Sequence, residues 1–202
     1  MRIGLLGGSF NPAHDGHVHV SAQAIKRLGL DAVWWLVSPQ NPLKPEAGMA
    51  PFADRLEGAQ KIAARHPGIV ATDLEDRLGT RFTADTLEAL VRAFPGVAFV
   101  WLMGADNLAQ LPRWRRWAAI FGAVPVAVFD RAPYSLRALA GQAAKRFARH
   151  RVAERAAGRL PGMAPPAWVF LHTPLHPASA SEIRARRGRA RRRAPARAAK
   201  RR

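Results

Sequence analysis

The stretch IGLLGGSFNPAHDGH, residues 3–17, decides the fold. Its apolar beginning predicts a buried strand, and apolar residues at helical spacing then continue to Gly29, which suits a helix end. Between strand and helix, Gly7 and Gly8 let the backbone approach a ligand closely, and the helix mouth offers unpaired N–H groups that attract anions. Strand, glycine turn and helix N-terminus together predict a phosphate-binding loop.

Beyond this stretch, short apolar runs alternate with amphipathic segments. Further strands are predicted at 32–38, 69–72, 97–104, 124–130 and 168–173. Helices are predicted at 51–68, 83–96, 135–158 and from 178 onward, with short helices within 105–121. This alternation is typical of an α/β fold with a Rossmann-like, doubly wound, mostly parallel sheet and helices on both faces. Ligands bind such sheets where strands end and helices begin, so the residues at those points are the candidates for chemistry.

Composition predicts one domain, over residues 1–187 of the 202 in the sequence, because 49% apolar residues suffice for a single core. With no cysteine, disulfides, thiolate metal sites and cysteine nucleophiles are excluded. The N-terminus is unlike a signal peptide, and no run approaches the roughly 20 apolar residues that span a bilayer. We therefore expect a soluble protein of the reducing cytoplasm with no membrane partner.

The net charge of +18 is concentrated at one end of the chain. Residues 186–202 hold ten Lys or Arg and no acid, which leaves 22 basic against 14 acidic residues, or +8, for residues 1–185. We expect residues 188–202 to form a basic, disordered tail whose contact with nucleic acid is at most nonspecific.

Two histidines, His14 and His17, stand at the predicted helix mouth with Gly16 between them. The stretch is neither a Walker loop nor the GxGxxG of dinucleotide oxidoreductases. Imidazoles three residues apart can both donate hydrogen bonds to a phosphoryl group as charge spreads over its oxygens during transfer. The alternative is a capping or core role for each ring. No further His or carboxylate cluster is spaced to complete a zinc site, so we predict no metal-binding residue.

The segment GGSFNPAHDGH resembles the GGxFxPxHxGH signature of the HxGH nucleotidyltransferases, and within them the chain resembles the nicotinate-nucleotide adenylyltransferase family from about residue 3 to residue 185. The resemblance implies that His14 and His17 are catalytic. It also implies an ATP-binding set in this segment: Gly7, Gly8, Ser9, Phe10, His14 and His17. Ser9 would contact the mononucleotide acceptor as well.

Two further segments resemble parts of the family that meet the acceptor. SPQNPLK at 38–44 is similar to a Pro/Asn-rich loop with a basic residue, which implies a catalytic, phosphate-facing and mononucleotide-binding Lys44. The alternative for Lys44 is a solvated loop lysine. RFTADTLEAL at 81–90 is similar to the YTxxTL segment, which implies mononucleotide contacts for Phe82, Thr83 and Thr86, with Thr83 and adjacent amides receiving the pyridine carboxylate. An N-cap role for Thr83 is compatible with this.

The segment LMGADNLAQLPRWRRW at 102–117 resembles GxDxLxxLPxW. The resemblance implies ATP contacts for Gly104 and Asp106, with the Asp106 carboxylate accepting from a ribose hydroxyl, and a Trp114 that stacks on the pyridine ring. Trp117 is expected to lie in the core.

Two short matches complete the nucleotide site. FDRAP at 129–133 implies an ATP contact for Arg131, and SASEIRAR at 179–186 resembles ISSTxIR, which implies ATP contacts for Ser179, Ser181 and a catalytic Arg184. This motif departs from the family at Ala178, Ala180 and Ser181. Near the acceptor, the family's Tyr residues are Phe82 and Arg115 here.

The resemblance implies transfer of AMP from ATP to nicotinic acid mononucleotide, giving deamido-NAD and pyrophosphate in NAD biosynthesis. Mg²⁺ would be carried by ATP phosphates and water. Two alternatives stay open: a sister enzyme acting on nicotinamide mononucleotide or phosphopantetheine, and a nucleic-acid-binding protein acting through its basic tail. No aromatic residue interleaves that tail, which disfavours the second alternative.

Overall fold

The computed structural model describes residues 1–40, 48–131, 133–174, 178, 180 and 183–185. Within these residues all strands join one parallel sheet. The strands are β1 (Arg2–Gly8), β2 (Ala32–Val37), β3 (Ile69–Thr72), β4 (Ala98–Gly104), β5 (Val126–Phe129), β6 (Arg151–Val152) and β7 (Trp168–Leu171). Their order is β3-β2-β1-β4-β5-β7-β6. The first three strands of the chain thus form one half of the sheet, and the last four form the other half. The predicted doubly wound α/β sheet is confirmed.

Helices cover both faces of this sheet. The α-helices are α1 (Asp15–Leu28), α2 (Phe52–Ala63), α3 (Leu74–Arg77), α4 (Thr83–Ala93), α5 (Ala105–Gln110), α6 (Trp117–Ala123), α7 (Ser135–Leu139) and α8 (Gln142–Arg146). Short 3-10 helices lie at Leu111–Arg113, Ala148–His150 and Glu154–Gly162. Residues 183–185 are also helical. None of the helices in the described part of the chain combines the length and the apolar character needed to cross a membrane.

Two apolar clusters, one on each face of the sheet, hold the helices in place. Successive strand residues point to opposite faces, so Leu5 of β1 lies in the same cluster as Leu87 of α4, whereas Leu6 lies in the other cluster with Leu28 of α1. Each of these side chains is buried. The sheet is therefore the shared middle layer of a three-layer molecule.

The helix predicted over 135–158 is wrong, because this stretch consists of short helices and a strand. Gly141 is extended at the start of α8 and interrupts the helix. Further along, β6 pairs with β7, and the Arg151 guanidinium lies 5.4 Å from the centre of the Trp168 ring. Tertiary contacts with β7 thus override a helix-favouring composition.

The carboxyl ends of β1, β4 and β5 lie side by side at one edge, because the three strands are parallel neighbours. The glycine loop follows β1, α5 follows β4, and Arg131 comes soon after β5. This arrangement brings the segments predicted to meet ATP to the same edge of the sheet. Lys44, Ser179, Ser181 and the predicted tail at 188–202 lie outside the described residues.

Candidate active site

Gly7, at the end of β1, is required by packing. A Cβ atom on Gly7 would lie 2.4 Å from Cη2 of Trp101, an aromatic residue of β4 that is almost fully buried. Gly8 is less constrained, since its Cβ would lie 3.4 Å from the Phe10 ring. Gly7 therefore lets β1 approach a large core side chain, in addition to any role toward a ligand.

Phe10 anchors the turn between β1 and α1. Its backbone has a φ of 45°, which is uncommon for a residue with a side chain, and the side chain is only 2% exposed. The Phe10 ring stacks on Trp35 of β2 at a centroid distance of 5.1 Å and contacts His17 at 4.7 Å. Burial of this ring fixes the loop over the sheet. Ser9, beside it, is also buried.

The imidazole rings of His14 and His17 sit together at the start of α1. Their centroids are 3.9 Å apart, and His14 is the N-cap residue. The His14 Nδ1 accepts the Gly16 N–H at 3.1 Å, and the His17 Nδ1 accepts the His14 N–H at 3.2 Å. A neutral ring whose Nδ1 is an acceptor carries its proton on Nε2. Both rings are thus held in the tautomer that donates through Nε2.

Gly16 is the position where the first loop meets the C-terminal motif. A Cβ on Gly16 would lie 2.9 Å from the His14 ring and 3.0 Å from the Ala178 carbonyl oxygen. Close by, Arg184 donates to the Asn11 carbonyl oxygen at 2.6 Å. The structure therefore brings the predicted Arg184 to the same loop as the predicted His14 and His17.

Arg55 of α2 is buried and was missed by the sequence reasoning. Its guanidinium donates to four backbone carbonyl oxygens, at distances of 2.7–2.9 Å, which belong to Ser9, Ser38, Pro39 and Ala50. Burial lowers the pKa of Arg55. Arg55 thereby joins the loop after β1 to the loop after β2. Its spacing with the buried Ala59 and Ala63, four residues apart along the apolar stripe of the helix, was the available signal.

Glu75 of α3 is a second buried charged residue that was missed. It is 9% exposed and accepts the Ser38 hydroxyl at 3.0 Å. Burial raises the pKa of Glu75 to about 7, and the hydrogen bond from Ser38 only partly opposes that rise. The Ser38 backbone N–H in turn donates to the Gly8 carbonyl oxygen at 2.9 Å. Glu75 therefore belongs to the same support for the glycine loop.

Asp106 and Arg131, both predicted to contact ATP, pair with each other. The Arg131 guanidinium donates to Oδ2 of Asp106 at 3.1 Å, while the buried Oδ1 has no hydrogen-bond partner among the described residues. Gly104 is needed here because its Cβ would lie 2.4 Å from that Oδ1. A buried carboxylate oxygen without a partner is costly, so it is suited to accept a ligand hydroxyl.

The residues predicted for the acceptor lie around the start of α4. Phe82 is the N-cap residue and makes no side-chain capping bond, so the expected N-cap role of Thr83 is wrong; Thr83 is the first helical residue. Thr86 is 2% exposed, and its hydroxyl donates to the Phe82 carbonyl oxygen and bonds Thr80 at 2.8 Å. Its hydroxyl therefore holds the turn before α4.

Trp114 follows the 3-10 helix Leu111–Arg113 and is partly buried against the core. Its Nε1 is buried without a hydrogen-bond partner in the described part of the chain. Trp117, which was expected in the core, packs against the same cluster but is only partly buried. Arg115 lies with its guanidinium 4.6 Å from the centre of the Phe82 ring. Two departures from the family pattern are thus in contact with each other.

This fold and site define a nucleotidyltransferase, and residues 5–186 match the family model described as Cytidylyltransferase-like. The chain is 55% identical over 185 residues to a curated protein of Cereibacter sphaeroides named "Probable nicotinate-nucleotide adenylyltransferase", with 92% of this chain and 97% of that protein aligned. A curated protein of Parvibaculum lavamentivorans with the same name is 53% identical over 188 residues, covering 93% of each chain. The chain belongs to the nicotinate-nucleotide adenylyltransferase family.

A solved structure shares the fold at much lower identity. It is the Plasmodium falciparum nicotinic acid mononucleotide adenylyltransferase complexed with NaAD, with a TM-score of 0.67 and 17% identity. The match covers 91% of this chain and 82% of that chain. The likeness shows that the two chains share the fold.

Proposed function

We propose that the protein transfers the AMP part of ATP to nicotinic acid mononucleotide, giving deamido-NAD and pyrophosphate in NAD biosynthesis. The observation that carries the proposal is the histidine pair at the start of α1. Both Nδ1 atoms accept backbone N–H groups, so both rings are set to donate through Nε2. Membership of the family supports the choice of reaction.

In the proposed reaction, an oxygen of the acceptor phosphate attacks the α-phosphorus of ATP in line. The new P–O bond forms as the bond to the bridging oxygen of pyrophosphate breaks, and pyrophosphate carries away that bond's electron pair. The attacking phosphate is already an anion, so no covalent enzyme intermediate is needed. His14 and His17 align the α-phosphoryl group and donate to its oxygens as charge develops.

The remaining ATP contacts are assigned to the carboxyl edge of the sheet. Asp106 accepts a ribose hydroxyl through Oδ1, which has no partner among the described residues, and Arg131, which holds the other oxygen, faces the nucleotide. Gly8, Ser9 and Phe10 form the loop beneath the phosphates. Arg184 approaches the phosphates from the C-terminal motif, supported by its contact with the Asn11 carbonyl oxygen. Lys44, Ser179 and Ser181 keep their predicted roles as proposals.

The acceptor is assigned to the start of α4. The N–H groups of its first turn, including that of Thr83, point toward the N-terminal end of the helix, where they suit the pyridine carboxylate. Trp114 stacks on the pyridine ring, with Phe82 beside it. Recognition by backbone amides is independent of the Tyr side chains that this chain lacks.

Mg²⁺ enters the proposal as an ion carried by ATP. The Asp106 carboxylate is paired with Arg131, and the two imidazoles are bonded to backbone N–H groups. These contacts fit an ion that is held by ATP oxygens and water, the ligands Mg²⁺ favours. Bound in that way, it would neutralise phosphate charge during transfer.

The test is pyrophosphate release by the full chain with ATP, Mg²⁺ and either nicotinic acid or nicotinamide mononucleotide. We expect faster turnover with the acid. Equal rates would contradict the acid preference, and no release with either acceptor would contradict the reaction.

The alternative of a nucleic-acid-binding protein is tested by deleting residues 188–202. The enzyme proposal expects pyrophosphate release to persist, whereas a function carried by the tail would be lost. A cytoplasmic location stays a prediction.

A further inference from the structure

Arg115 and Arg116, which directly follow Trp114 in the chain, contact the N-cap residue and the first two turns of α4. The Arg115 guanidinium lies over the Phe82 ring. Arg116 bridges two carboxylates of α4, donating from Nη1 to Oδ1 of Asp85 at 2.6 Å and from Nη2 to Oε1 of Glu88 at 2.7 Å. The loop that carries Trp114 is therefore fastened to the helix start by two neighbouring arginines.

The backbone of Arg116 is also unusual. Its φ is 52°, in the left-handed region that a side chain disfavours. Arg116 occupies the N-cap position of α6 without a side-chain capping bond. A glycine would adopt this conformation more easily, so the backbone alone does not explain an arginine at this place. The two ion pairs with α4 account for an arginine side chain at this position.

Charge at the start of α4 matters for the acceptor. Asp85 and Glu88 put two negative charges on the helix turns next to Thr83, where the proposed function places the pyridine carboxylate. Unpaired, they would repel that carboxylate, but they would act much less on an uncharged carboxamide at the same position. Arg116 supplies the opposing charge through its ion pairs with Asp85 and Glu88, and a guanidinium is protonated throughout the working pH range.

We propose that Arg116 is a positioning and specificity-determining residue for the acceptor. It fastens the loop that carries Trp114 to the start of α4 and offsets the Asp85 and Glu88 charges, so that the acid mononucleotide is preferred to the amide. This inference rests on the proposed function, which places the acceptor there.

The experiment measures kcat and KM for ATP, for nicotinic acid mononucleotide and for nicotinamide mononucleotide. The first variant is Arg116→Gly, which retains the left-handed backbone and removes the charge. We expect the acid-to-amide ratio of kcat/KM to fall about 5-fold, mainly through a higher KM for the acid, with the KM for ATP unchanged. In the triple variant Arg116→Gly, Asp85→Asn, Glu88→Gln the ratio should return toward that of the wild type.

If Arg116 had a merely structural role, its loss would lower kcat/KM equally for both acceptors. The acid-to-amide ratio of kcat/KM would then stay unchanged in both the single and the triple variant. Arg149→Gly removes an exposed arginine from a 3-10 helix outside the site and serves as the charge control, with a wild-type ratio expected. Trp114→Ala tests the proposed acceptor site separately from the role of Arg116. If it raises the acceptor KM while Arg116→Gly leaves the ratio unchanged, this inference is wrong and the proposed function stands. If Trp114→Ala leaves the acceptor KM unchanged, the acceptor site itself is misplaced and the inference falls with it.

Discussion

The Nδ1 atom of His17 accepts the backbone N–H of His14 at 3.2 Å, so the second ring of the pair caps the residue that carries the first. The same bond has two effects. It completes the capping box at the N-terminus of α1, and it leaves the proton of the neutral His17 ring on Nε2. Removal of His17 therefore has to be divided into loss of a cap and loss of a donor.

Two substitutions at His17 make that division. His17→Ala should lower kcat about 100-fold through loss of one preorganised donor. It should also lower the free energy of unfolding by about 1 kcal/mol through loss of the cap. His17→Asn keeps an acceptor near the Nδ1 position but has no atom at Nε2, so stability should recover while kcat stays low.

Pyrophosphate release and urea unfolding measure the two effects. His150→Ala, at an exposed histidine elsewhere, is the control and should behave as the wild type. If His17→Asn restored turnover together with stability, the donor role would be refuted.

Gly16→Ala should leave the fold intact and impair catalysis. The new Cβ would press on the His14 ring and on the Ala178 carbonyl oxygen, displacing either that ring or the C-terminal motif. We expect kcat/KM for ATP to fall about 10-fold or more, in keeping with the cost of overpacking a tight contact.

Gly58→Ala is the matched control for Gly16. Gly58 lies inside α2, and a Cβ there meets no atom within 4 Å. It should keep full activity and gain up to about 1 kcal/mol of stability, because alanine favours a helix interior. Wild-type kinetics in Gly16→Ala would mean that the contact with Ala178 has no part in catalysis.

Asp106→Asn tests the ribose contact through the substrate as well as the protein. The wild type should lose about 10-fold in kcat/KM when one ribose hydroxyl of ATP is missing, as in 2′-deoxy-ATP or 3′-deoxy-ATP. In Asp106→Asn, kcat/KM for ATP should fall by a similar factor. It should fall little further when ATP is replaced by the deoxy analogue to which the wild type is sensitive. Asp54→Asn, at an exposed carboxylate of α2, should retain the full sensitivity. An undiminished deoxy effect in Asp106→Asn would place the hydroxyl elsewhere.

Glu75 should make stability depend on pH. Its folded pKa of about 7 lies above the ordinary value of 4.5, so between these values the folded protein holds a proton that the unfolded chain has lost. The contribution of Glu75 to the free energy of unfolding is complete below pH 4.5 and is lost as pH rises through 7. The total loss is up to about 3 kcal/mol. Glu75→Gln should remove this slope, as followed by unfolding at pH 4.5 to 8.

The control for Glu75 is Glu57→Gln. Glu57 is exposed and pairs with Lys61, which lowers its pKa, so this variant should retain the wild-type slope between pH 4.5 and 7. Parallel pH profiles for Glu75→Gln and the wild type would show that Glu75 is ionised in the fold at neutral pH.

The sheet and the histidine pair could be predicted from sequence because each leaves a local signal. Apolar runs indicate the strands, and His14, Gly16 and His17 are neighbours along the chain. By contrast, the Arg116 ion pairs join residues about 30 positions apart, and no local pattern couples them. The strand β6 was missed because its pairing with β7 decides its conformation.

Arg55 fastens the loops after β1 and β2 through carbonyl oxygens alone. Every residue type has a backbone carbonyl, so these bonds do not themselves depend on the side chains of Ser9, Ser38 and Pro39. One interior cation thereby fixes the backbone of two loops by contacts that any amino-acid sequence can provide.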